Sequence, residues 1–437
     1  MTSRPNILFI FTDQQFAGAM SCAGNGDLHT PAMDSLAETG VRFDRAYCTQ
    51  PLCTPSRASM MTGLYPFQTG APRNGMGIDE SLRSREMGAI FSAAGYECVY
   101  GGKWHIPEIA IPEGHGFRQI AGFGDPKLTD ACVEFLRSKQ DGPFLLVASF
   151  DNPHNICEWT REQRLPWGPI GEPPPVRKCP NLPVNFAVPA FEPQFIRYEQ
   201  RAWPTVYSAA DFAEEDWRRY RWAYYRLVEK VDAQIGQVLD ALKAAGLEND
   251  TLVVFSSDHG DGHGAHHWSQ KSVLYEESIR IPLIVNLPDA TQAARVDREH
   301  LVSNGLDLLP TLCDYAGVEP PKGLPGASLR PLLEGASAAG WRDELAVTTT
   351  FDGDKGYVTQ GRTLHTGRYK YVLYDRGRYR EQLFDMPNDP GEMVNLAVEA
   401  RYADVLDEHR RRLIDWMRES QDPYARQRSR MPPEVSG

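Results

Sequence analysis

Short runs of strand-forming residues alternate with helical patterns along most of the chain. Apolar runs such as "NILFIFT" (6–12) and "PFLLVASF" (143–150) are typical of buried strands, and residues 217–245 carry apolar side chains three and four positions apart, as in one long amphipathic helix. Parallel strands need long crossover connections, which are usually helices. The alternation therefore predicts an α/β fold with a large, mainly parallel sheet sandwiched by helices.

The pattern changes near residue 355. Before it, "DELAVTTTF" reads as one more strand of the alternating series. After it, short strands separated by turn residues follow one another in "YVTQGRTLHTG", "RYKYVLYD" and "EQLFDM", and a charged helix is predicted at about 399–419. We therefore expect an α/β domain over residues 1–354, with an ordered proline- and aromatic-rich insertion at about 155–225, and a small antiparallel α+β domain over residues 355–437.

Charge and hydropathy exclude several classes of function. The chain has 437 residues and a net charge of −12, which disfavours a nucleic-acid partner and means that an anionic substrate would need a local positive pocket. No apolar run is long enough to span a membrane. The start, "MTSRPNILFIFTDQQ", lacks the longer apolar core and the cleavage site of a signal peptide. We therefore expect a cytoplasmic protein with no membrane partner, unless a leader has been trimmed away.

The eight cysteines are scattered and form no C-x-x-C pair, so neither a disulfide scaffold nor a structural zinc site is expected. Cys53 is unusual because it directly precedes a short predicted helix, with Thr54 as N-cap, Pro55 as first residue and Gly63 just past the end. A helix N-terminus stabilises negative charge, and Arg57 lies one turn inside. Cys53 could therefore be a core thiol, a thiolate nucleophile or the precursor of another group.

Charged and imidazole groups follow four of the predicted strands. They are Asp13 and Gln14 after "NILFIFT", Lys103 and His105 after "YECVYG", His154 after "PFLLVASF", and Asp258, His259 and then Lys271 after "DTLVVFSS". Open parallel sheets bind their ligands at the carboxyl ends of the strands. Because four strands deliver such groups to the same edge, the sequence predicts an active site there.

Oxygen atoms dominate the potential metal ligands in this set. The four candidates are Asp13, Gln14, Asp258 and His259. Without a thiolate pair or a set of three histidines, they favour Ca²⁺ or Mg²⁺ over zinc. Three more histidines stand in a glycine-rich stretch and are expected to be loop residues and not zinc ligands; they are His263, His266 and His267.

The cationic and imidazole side chains suit an anionic substrate. Lys103, Lys271 and Arg57 beside a metal would form a clamp for an oxyanion. His105 and His154 can move protons near neutral pH, although His154 could also be a core histidine.

Five blocks of the chain resemble a known family. "CTPSR" matches the C-x-P-S-R signature of the formylglycine-dependent (type I) sulfatases, which belong to the alkaline phosphatase superfamily. The blocks "PNILFIFTDQQ", "GKWH", "PH" and "SSDHGDGHGAHHWSQKSVLYEESIRIPLIV" match in order, and "LFDMPNDPGEMVNLA" resembles the C-terminal domain of that family. The resemblance covers nearly the whole chain and implies an alkaline phosphatase-like fold.

The resemblance also implies a mechanism. A maturation enzyme would oxidise Cys53 to formylglycine, whose hydrate attacks the sulfate sulfur with one hydroxyl group and releases sulfate with the other. Ca²⁺, with Mg²⁺ or Mn²⁺ as alternatives, would be held by Asp13, Gln14, the group derived from Cys53, Asp258 and His259. Arg57 would hold the diol with His105 as its base, Lys103 and Lys271 would bind sulfate oxygens, and His154 would contact the sulfate and help to protonate the leaving group.

One residue departs from the common pattern. Many members have a second aspartate where this chain has Gln14, while phosphonate monoester hydrolases can also have glutamine. The less anionic site leaves phosphodiesters open as further substrates. The leading hypothesis, which rests on the ordered blocks and the aromatic-rich insertion, is a hydrolase of sulfate esters on a sulfated carbohydrate. Trp159, Trp167 and Tyr198 of the insertion are candidates for stacking on sugars, with core packing as the more common role for any one of them. The alternatives are a phosphonate monoester or phosphodiester hydrolase and, if Cys53 stays unmodified, a non-catalytic binder of sulfated ligands.

Overall fold

A computed structural model describes residues 4–107, 111–139, 141–288, 294–336, 338–352 and 358–425. The strands, in chain order, are β1 (Asn6–Asp13), β2 (Val41–Phe43), β3 (Ala46–Tyr47), β4 (Glu97–Gly102), β5 (Arg118–Ala121), β6 (Phe144–Pro153), β7 (Thr251–Ser257), β8 (Leu283–Asn286), β9 (Arg295–Asp297), β10 (Val302–Ser303), β11 (Leu345–Asp352), β12 (Val358–His365), β13 (Tyr369–Tyr374) and β14 (Glu381–Asp385). The α-helices are α1 (Pro31–Thr39), α2 (Cys53–Thr62), α3 (Pro66–Thr69), α4 (Met87–Ala93), α5 (Asp125–Arg137), α6 (Ile156–Thr160), α7 (Gln194–Ala202), α8 (Glu214–Ala244), α9 (Glu276–Ile279), α10 (Asn304–Ala316), α11 (Arg330–Leu333) and α12 (Ala403–Glu419).

Eight strands form the large sheet, in the order β5-β4-β6-β1-β7-β8-β2-β9. The strands from β5 to β7 run parallel to one another, and β2 is parallel to β9. Only β8, among the strands of this sheet that the structure describes, runs antiparallel to its neighbours. The predicted large, mainly parallel sheet is therefore confirmed.

Both faces of the sheet are covered by helices, as the apolar runs predict. Along β1, Phe9 and Phe11 point into one core with residues of α4 and α10, and Leu8 and Ile10 point into the other with residues of α1, α5 and α8. Successive side chains of a strand point to opposite faces, so a strand buried on both faces is a continuous apolar run. The predicted long helix corresponds to α8, whose apolar positions pack against this second face.

The C-terminal part forms a separate four-stranded antiparallel sheet, in the order β11-β12-β13-β14. Helix α12 packs Leu413 and Met417 against apolar side chains of this sheet. Strand β11 contains most of "DELAVTTTF" and pairs with β12, so the sheet begins before residue 355, where the sequence places the domain boundary. The assignment of this strand to the alternating series was wrong because an apolar run does not reveal its pairing partner.

Two further features bear on the expectations from the sequence. All eight cysteines lie in the described part of the chain and are free thiols. Within that same part, no helix is both long enough and apolar enough to cross a membrane.

Candidate active site

The four strands that carry the predicted site residues are neighbours in the sheet, in the order β4-β6-β1-β7. Because they are parallel, their carboxyl ends lie at one edge. Asp13 ends β1, Lys103 follows β4, His154 follows β6, and Asp258 follows β7. The topology thus brings together groups that are far apart in the sequence.

Cys53 enters the same place from helix α2. It is the first residue of the helix, with Leu52 as the N-cap, and its side chain is buried. The predicted cap at Thr54 was wrong: the Thr54 hydroxyl instead donates to the carbonyl oxygen of His105 at 2.7 Å. A hydroxyl with a better tertiary partner does not need to cap the helix, and helix ends shift easily by one residue.

Three site residues surround the Cys53 thiol. Its Sγ lies 3.1 Å from Lys271 Nζ, 3.3 Å from His259 Nε2 and 3.8 Å from Asp13 Oδ1. Burial and Asp13 raise the pKa of Cys53, but Lys271 and His259 lower it further, so that its pKa lies well below the usual range. Position 53 is therefore built to carry negative charge, which a core thiol would not need.

Two buried carboxylates flank this position, and one guanidinium joins them. Arg57 donates through Nε to Asp258 Oδ2 and through an Nη to Asp13 Oδ2, both at 2.8 Å. Its other Nη donates to Ser149 Oγ at 2.8 Å and to the carbonyl oxygen of Lys103. The hydrogen bonds of Arg57 in this structure thus fix the two carboxylates, whereas Lys271 is the cation that contacts Cys53.

The residues present suit a hard divalent cation. Asp13, Cys53, Asp258 and His259 each offer a ligand atom, and these atoms lie within 4.8 Å of one another. His259 Nδ1 is 2.9 Å from the carbonyl oxygen of Gly260, an arrangement that places the proton on Nδ1 and leaves Nε2 free as a ligand. Two carboxylates and an imidazole form the mixed, oxygen-rich set that Ca²⁺ or Mg²⁺ accepts. The Gln14 amide oxygen lies 3.0 Å from Lys271 Nζ, which itself lies 3.1 Å from Cys53 Sγ.

The two neighbouring carboxylates of Asp13 and Asp258 have shifted pKa values. Burial and the neighbouring Asp13 raise the pKa of Asp258 to about 6, although His259 and Arg57 oppose the shift. Burial would raise the pKa of Asp13 as well, but Lys103 and Arg57 hold it well below its usual range. A bound cation would favour the ionised form of both groups.

Lys103 is held between two aspartates. Its Nζ lies 3.0 Å from Asp13 Oδ2 and 3.0 Å from Asp151 Oδ1. Asp151 Oδ2 accepts a hydrogen bond from Trp167 Nε1 at 2.9 Å, and the Trp167 ring packs edge-on against Phe123 at 5.1 Å between centroids. Trp167 of the insertion is therefore linked to a cation of the site through Asp151.

The two histidines border the same cluster. His105 adopts a left-handed backbone conformation with φ of 59°, and its Nδ1 is buried with no hydrogen-bond partner among the described residues. Burial, together with Lys103 and Lys271, lowers the pKa of His154 to about 3. His154 is therefore neutral before an anion binds, and His105 keeps one ring nitrogen without a partner among the described residues.

The other two aromatic candidates of the insertion lie apart from Trp167. Trp159 lines a cavity of about 970 Å³ together with Arg164, Phe212 and Arg219. Tyr198 lies on α7 and is 63% exposed. The insertion therefore borders both the cluster and a separate cavity.

Sequence reasoning missed three groups that complete the site. Asp151 holds Lys103 and could have been grouped with the other strand-end residues, because it lies on β6 just before His154. Asp261 accepts hydrogen bonds from Gln14 Nε2 and Tyr220 OH, each at 2.7 Å. Asp261 stands three residues after Asp258, which was a usable signal, whereas Tyr220 on α8 had no signal because it fits the apolar face of the helix.

The glycine-rich loop after β7 uses its histidines for packing. His263 lies among aromatic rings, 4.6 Å from Tyr224 and 4.7 Å from Tyr225 between centroids, and burial lowers its pKa well below the usual range. His266 stacks on Tyr275 at 3.7 Å. His266 also forms a second group of potential ligands with Glu277 and Glu392. In that group a lysine ammonium, Lys370 Nζ, already lies 2.6 Å from Glu392 Oε1.

Comparison with protein families agrees with this arrangement. A family model described as Sulfatase matches residues 5–318. The chain belongs to the sulfatase family. A second family model, described as N-sulphoglucosamine sulphohydrolase, C-terminal, matches residues 264–419. The resemblance noted from the sequence is thereby confirmed, and the protein is a sulfatase, a hydrolase of the alkaline phosphatase superfamily.

Individual relatives extend over almost the whole chain. The sulfatase is 33% identical to Delta 4,5-hexuronate-2-O-sulfatase of Bacteroides thetaiotaomicron, over 96% of this chain and 90% of the relative. It superposes on the solved structure of a 2-O GAG sulfatase with a TM-score of 0.86 and 32% identity, covering 97% of this chain and 94% of the other. Phosphonate monoester hydrolase of Agrobacterium radiobacter shares the fold, with a TM-score of 0.77, 24% identity and coverage of 95% and 96%.

Proposed function

We propose that this sulfatase removes sulfate from a sulfated carbohydrate, using formylglycine made from Cys53 and a bound divalent cation, with Ca²⁺ favoured over Mg²⁺ or Mn²⁺. The observation that carries the proposal is the position of Cys53, whose Sγ contacts Lys271, His259 and Asp13 at the start of a buried helix. The names of the hexuronate and GAG relatives support a sulfated glycan as the substrate.

The hydrate of formylglycine would supply the hydroxyl group that attacks sulfur, and Lys271, 3.1 Å from Sγ, would stabilise its ionised form. Asp13, Gln14, Asp258 and His259 would hold the cation, which would neutralise charge on a sulfate oxygen and on the attacking group. Arg57 would keep both carboxylates in place through its two hydrogen bonds of 2.8 Å. His105, which borders Cys53, would serve as the base that acts on the diol.

Binding of the anion prepares His154 for its role. Lys103 and Lys271 would contact the sulfate oxygens, so the ester would offset the two charges that, after burial itself, do most to lower the pKa of His154. The ring could then gain a proton and pass it to the leaving oxygen. We further propose that a maturation enzyme acts on this chain and that the protein works in the cytoplasm.

A second candidate activity is hydrolysis of a phosphonate monoester or a phosphodiester by the same site. It is favoured by Gln14, an uncharged residue beside Lys271, which makes the site less anionic than one with an aspartate there. We predict that the matured chain hydrolyses an aryl sulfate with at least about tenfold higher kcat/KM than an aryl phosphodiester. Steady-state kinetics on the pair measures this ratio, and a ratio below one would assign the chain to the second activity.

Cation binding should depend on pH because a proton competes with the cation at Asp258. The pKa of Asp258 without a cation is about 6. Burial lowers the pKa of His259, the other proposed ligand that titrates near neutral pH, but Asp258 raises it above its ordinary value. Affinity for Ca²⁺ should therefore fall as the pH drops through both pKa values, by about tenfold or more for each pH unit below about 6. Isothermal titration at about pH 5 and pH 7.5 tests this, and equal affinity at both values would contradict proton competition at these two ligands.

A further inference from the structure

The side-chain amide of Gln14 has two different ends, and only its oxygen can bind a cation. In the structure Oε1 accepts a hydrogen bond from Lys271 Nζ at 3.0 Å, and Nε2 donates to Asp261 Oδ2 at 2.7 Å. An ammonium group is only a donor and a carboxylate is only an acceptor. One orientation of the amide therefore satisfies both neighbours, and the turned orientation would place like groups together at both ends.

Asp261 is itself held firmly. Its side chain is fully buried, and Oδ1 accepts from Tyr220 OH and from the His263 N–H, both at 2.7 Å. Oδ2 accepts from Gln14 Nε2 and from the Gln270 N–H at 3.1 Å. Because all four partners are donors, they match an ionised carboxylate and leave it no freedom to turn away from Gln14.

The backbone of Gln14 is also held in place by hydrogen bonds. Its φ of 71° lies in the left-handed region, which a residue other than glycine rarely occupies without support. Its N–H donates to Asp258 Oδ1 at 3.1 Å, and its carbonyl oxygen accepts from Tyr224 OH at 2.6 Å. Since Tyr220 and Tyr224 are one turn apart on α8, this helix supports both the backbone and, through Asp261, the side chain.

We propose that Asp261 is a positioning residue that orients the Gln14 amide, so that its oxygen faces the cation and its nitrogen faces away. The proposal rests on the proposed function, since it takes Gln14 as a cation ligand. It also accounts for how a glutamine can serve at this position. The amide nitrogen cannot bind a cation, so a hydrogen-bond acceptor is needed to hold it away from the site. A carboxylate at position 14 could bind a cation through either oxygen, but one of its oxygens would lie against the Asp261 carboxylate, which carries the same charge.

Calcium binding to the metal-stripped full chain, measured by isothermal titration, tests the proposal without using turnover. In D261N the new amide can place its nitrogen against Gln14 Nε2, so that Lys271 alone favours the native orientation of the Gln14 amide, and we expect affinity for Ca²⁺ to fall by about tenfold. In Q14E alone we also expect about a tenfold loss, because the new carboxylate faces Asp261.

The double variant D261N/Q14E separates orientation from a general structural role. Its new amide would donate to its new carboxylate, so affinity for Ca²⁺ should return to within about threefold of wild type. A residue that only supports the fold would give losses that add. Losses that add in the double variant would therefore overturn the proposal, and so would unchanged affinity in D261N.

Two further outcomes keep the result clear. If D261N does not fold, Q14E alone decides, because tighter Ca²⁺ binding by Q14E than by wild type would overturn the proposal and the expected loss would support it. A wild-type chain that binds no Ca²⁺ would instead contradict the proposed cation site, and with it any role of Asp261 there. Failure of this inference alone thus differs from failure of the proposed function.

Discussion

Replacing Cys53 by alanine should abolish turnover while leaving the fold intact. The matured side chain is the proposed nucleophile, and loss of a nucleophile costs on the order of 10⁴-fold or more in kcat. The side chain lies at the end of the sheet in the first turn of α2 and contacts polar groups, not the apolar core. Turnover of an aryl sulfate and a thermal unfolding curve, measured on the same preparation, check both parts.

Cys132→Ala is the matched control for this variant. Cys132 is a fully buried cysteine on α5 that packs in the core, so its replacement should lower thermal stability slightly and leave kcat within about twofold of wild type. Wild-type activity in Cys53→Ala would show that the mechanism is wrong, since no other described cysteine contacts both Lys271 and His259.

Asp13→Asn should damage both cation binding and stability. Asp13 is fully buried, accepts from Arg57 at 2.8 Å and lies 3.0 Å from Lys103 Nζ. Without the charge of Asp13, Arg57 and Lys103 each lose one of the two carboxylates that they contact. We therefore expect the metal-free chain to lose roughly 3 kcal/mol in free energy of unfolding. Loss of a cation ligand should also lower kcat/KM by about 10³-fold or more. Urea unfolding in a chelator and steady-state kinetics with added Ca²⁺ measure the two effects.

Asp232→Asn provides the comparison. Asp232 is also buried and accepts from the N–H groups of Ala32 and Met33 at the start of α1, away from the strand ends. Its replacement should lower stability and leave kcat/KM within about threefold of wild type. If Asp13→Asn kept the wild-type kcat/KM and its dependence on added Ca²⁺, the cation site would have to lie elsewhere.

The edge of the sheet that carries the site could be predicted from the sequence. Buried parallel strands are continuous apolar runs, and the residues directly after each run must lie at the same edge, so Asp13, Lys103, His154 and Asp258 could be grouped. The mainly parallel sheet and the family could be predicted from the same blocks. Strand β11 could not be assigned, because strand pairing is a non-local property that a local pattern does not contain.

The second layer of the site could not be predicted for a different reason. Tyr220 lies on an amphipathic helix at a position that also suits the core, and nothing in a helical pattern shows that its hydroxyl group meets Asp261. The bonds of Arg57 to both carboxylates likewise depend on how α2 approaches the sheet. Residue types and spacing thus indicate which groups lie at the same site, whereas tertiary geometry determines which of them form hydrogen bonds with one another.

Mass analysis of the tryptic peptide 46–57 tests the central claim most directly. The peptide ends at Arg57 and contains Cys53 together with Cys48, and fragmentation assigns any change to one of the two positions. For an active preparation made with a maturation enzyme, we predict an aldehyde with oxygen in place of sulfur at position 53 and an unchanged thiol at position 48. An active enzyme whose peptide contains only unmodified cysteine at position 53 would contradict the account. An inactive chain that keeps its thiol under the same conditions would favour a binder of sulfated ligands.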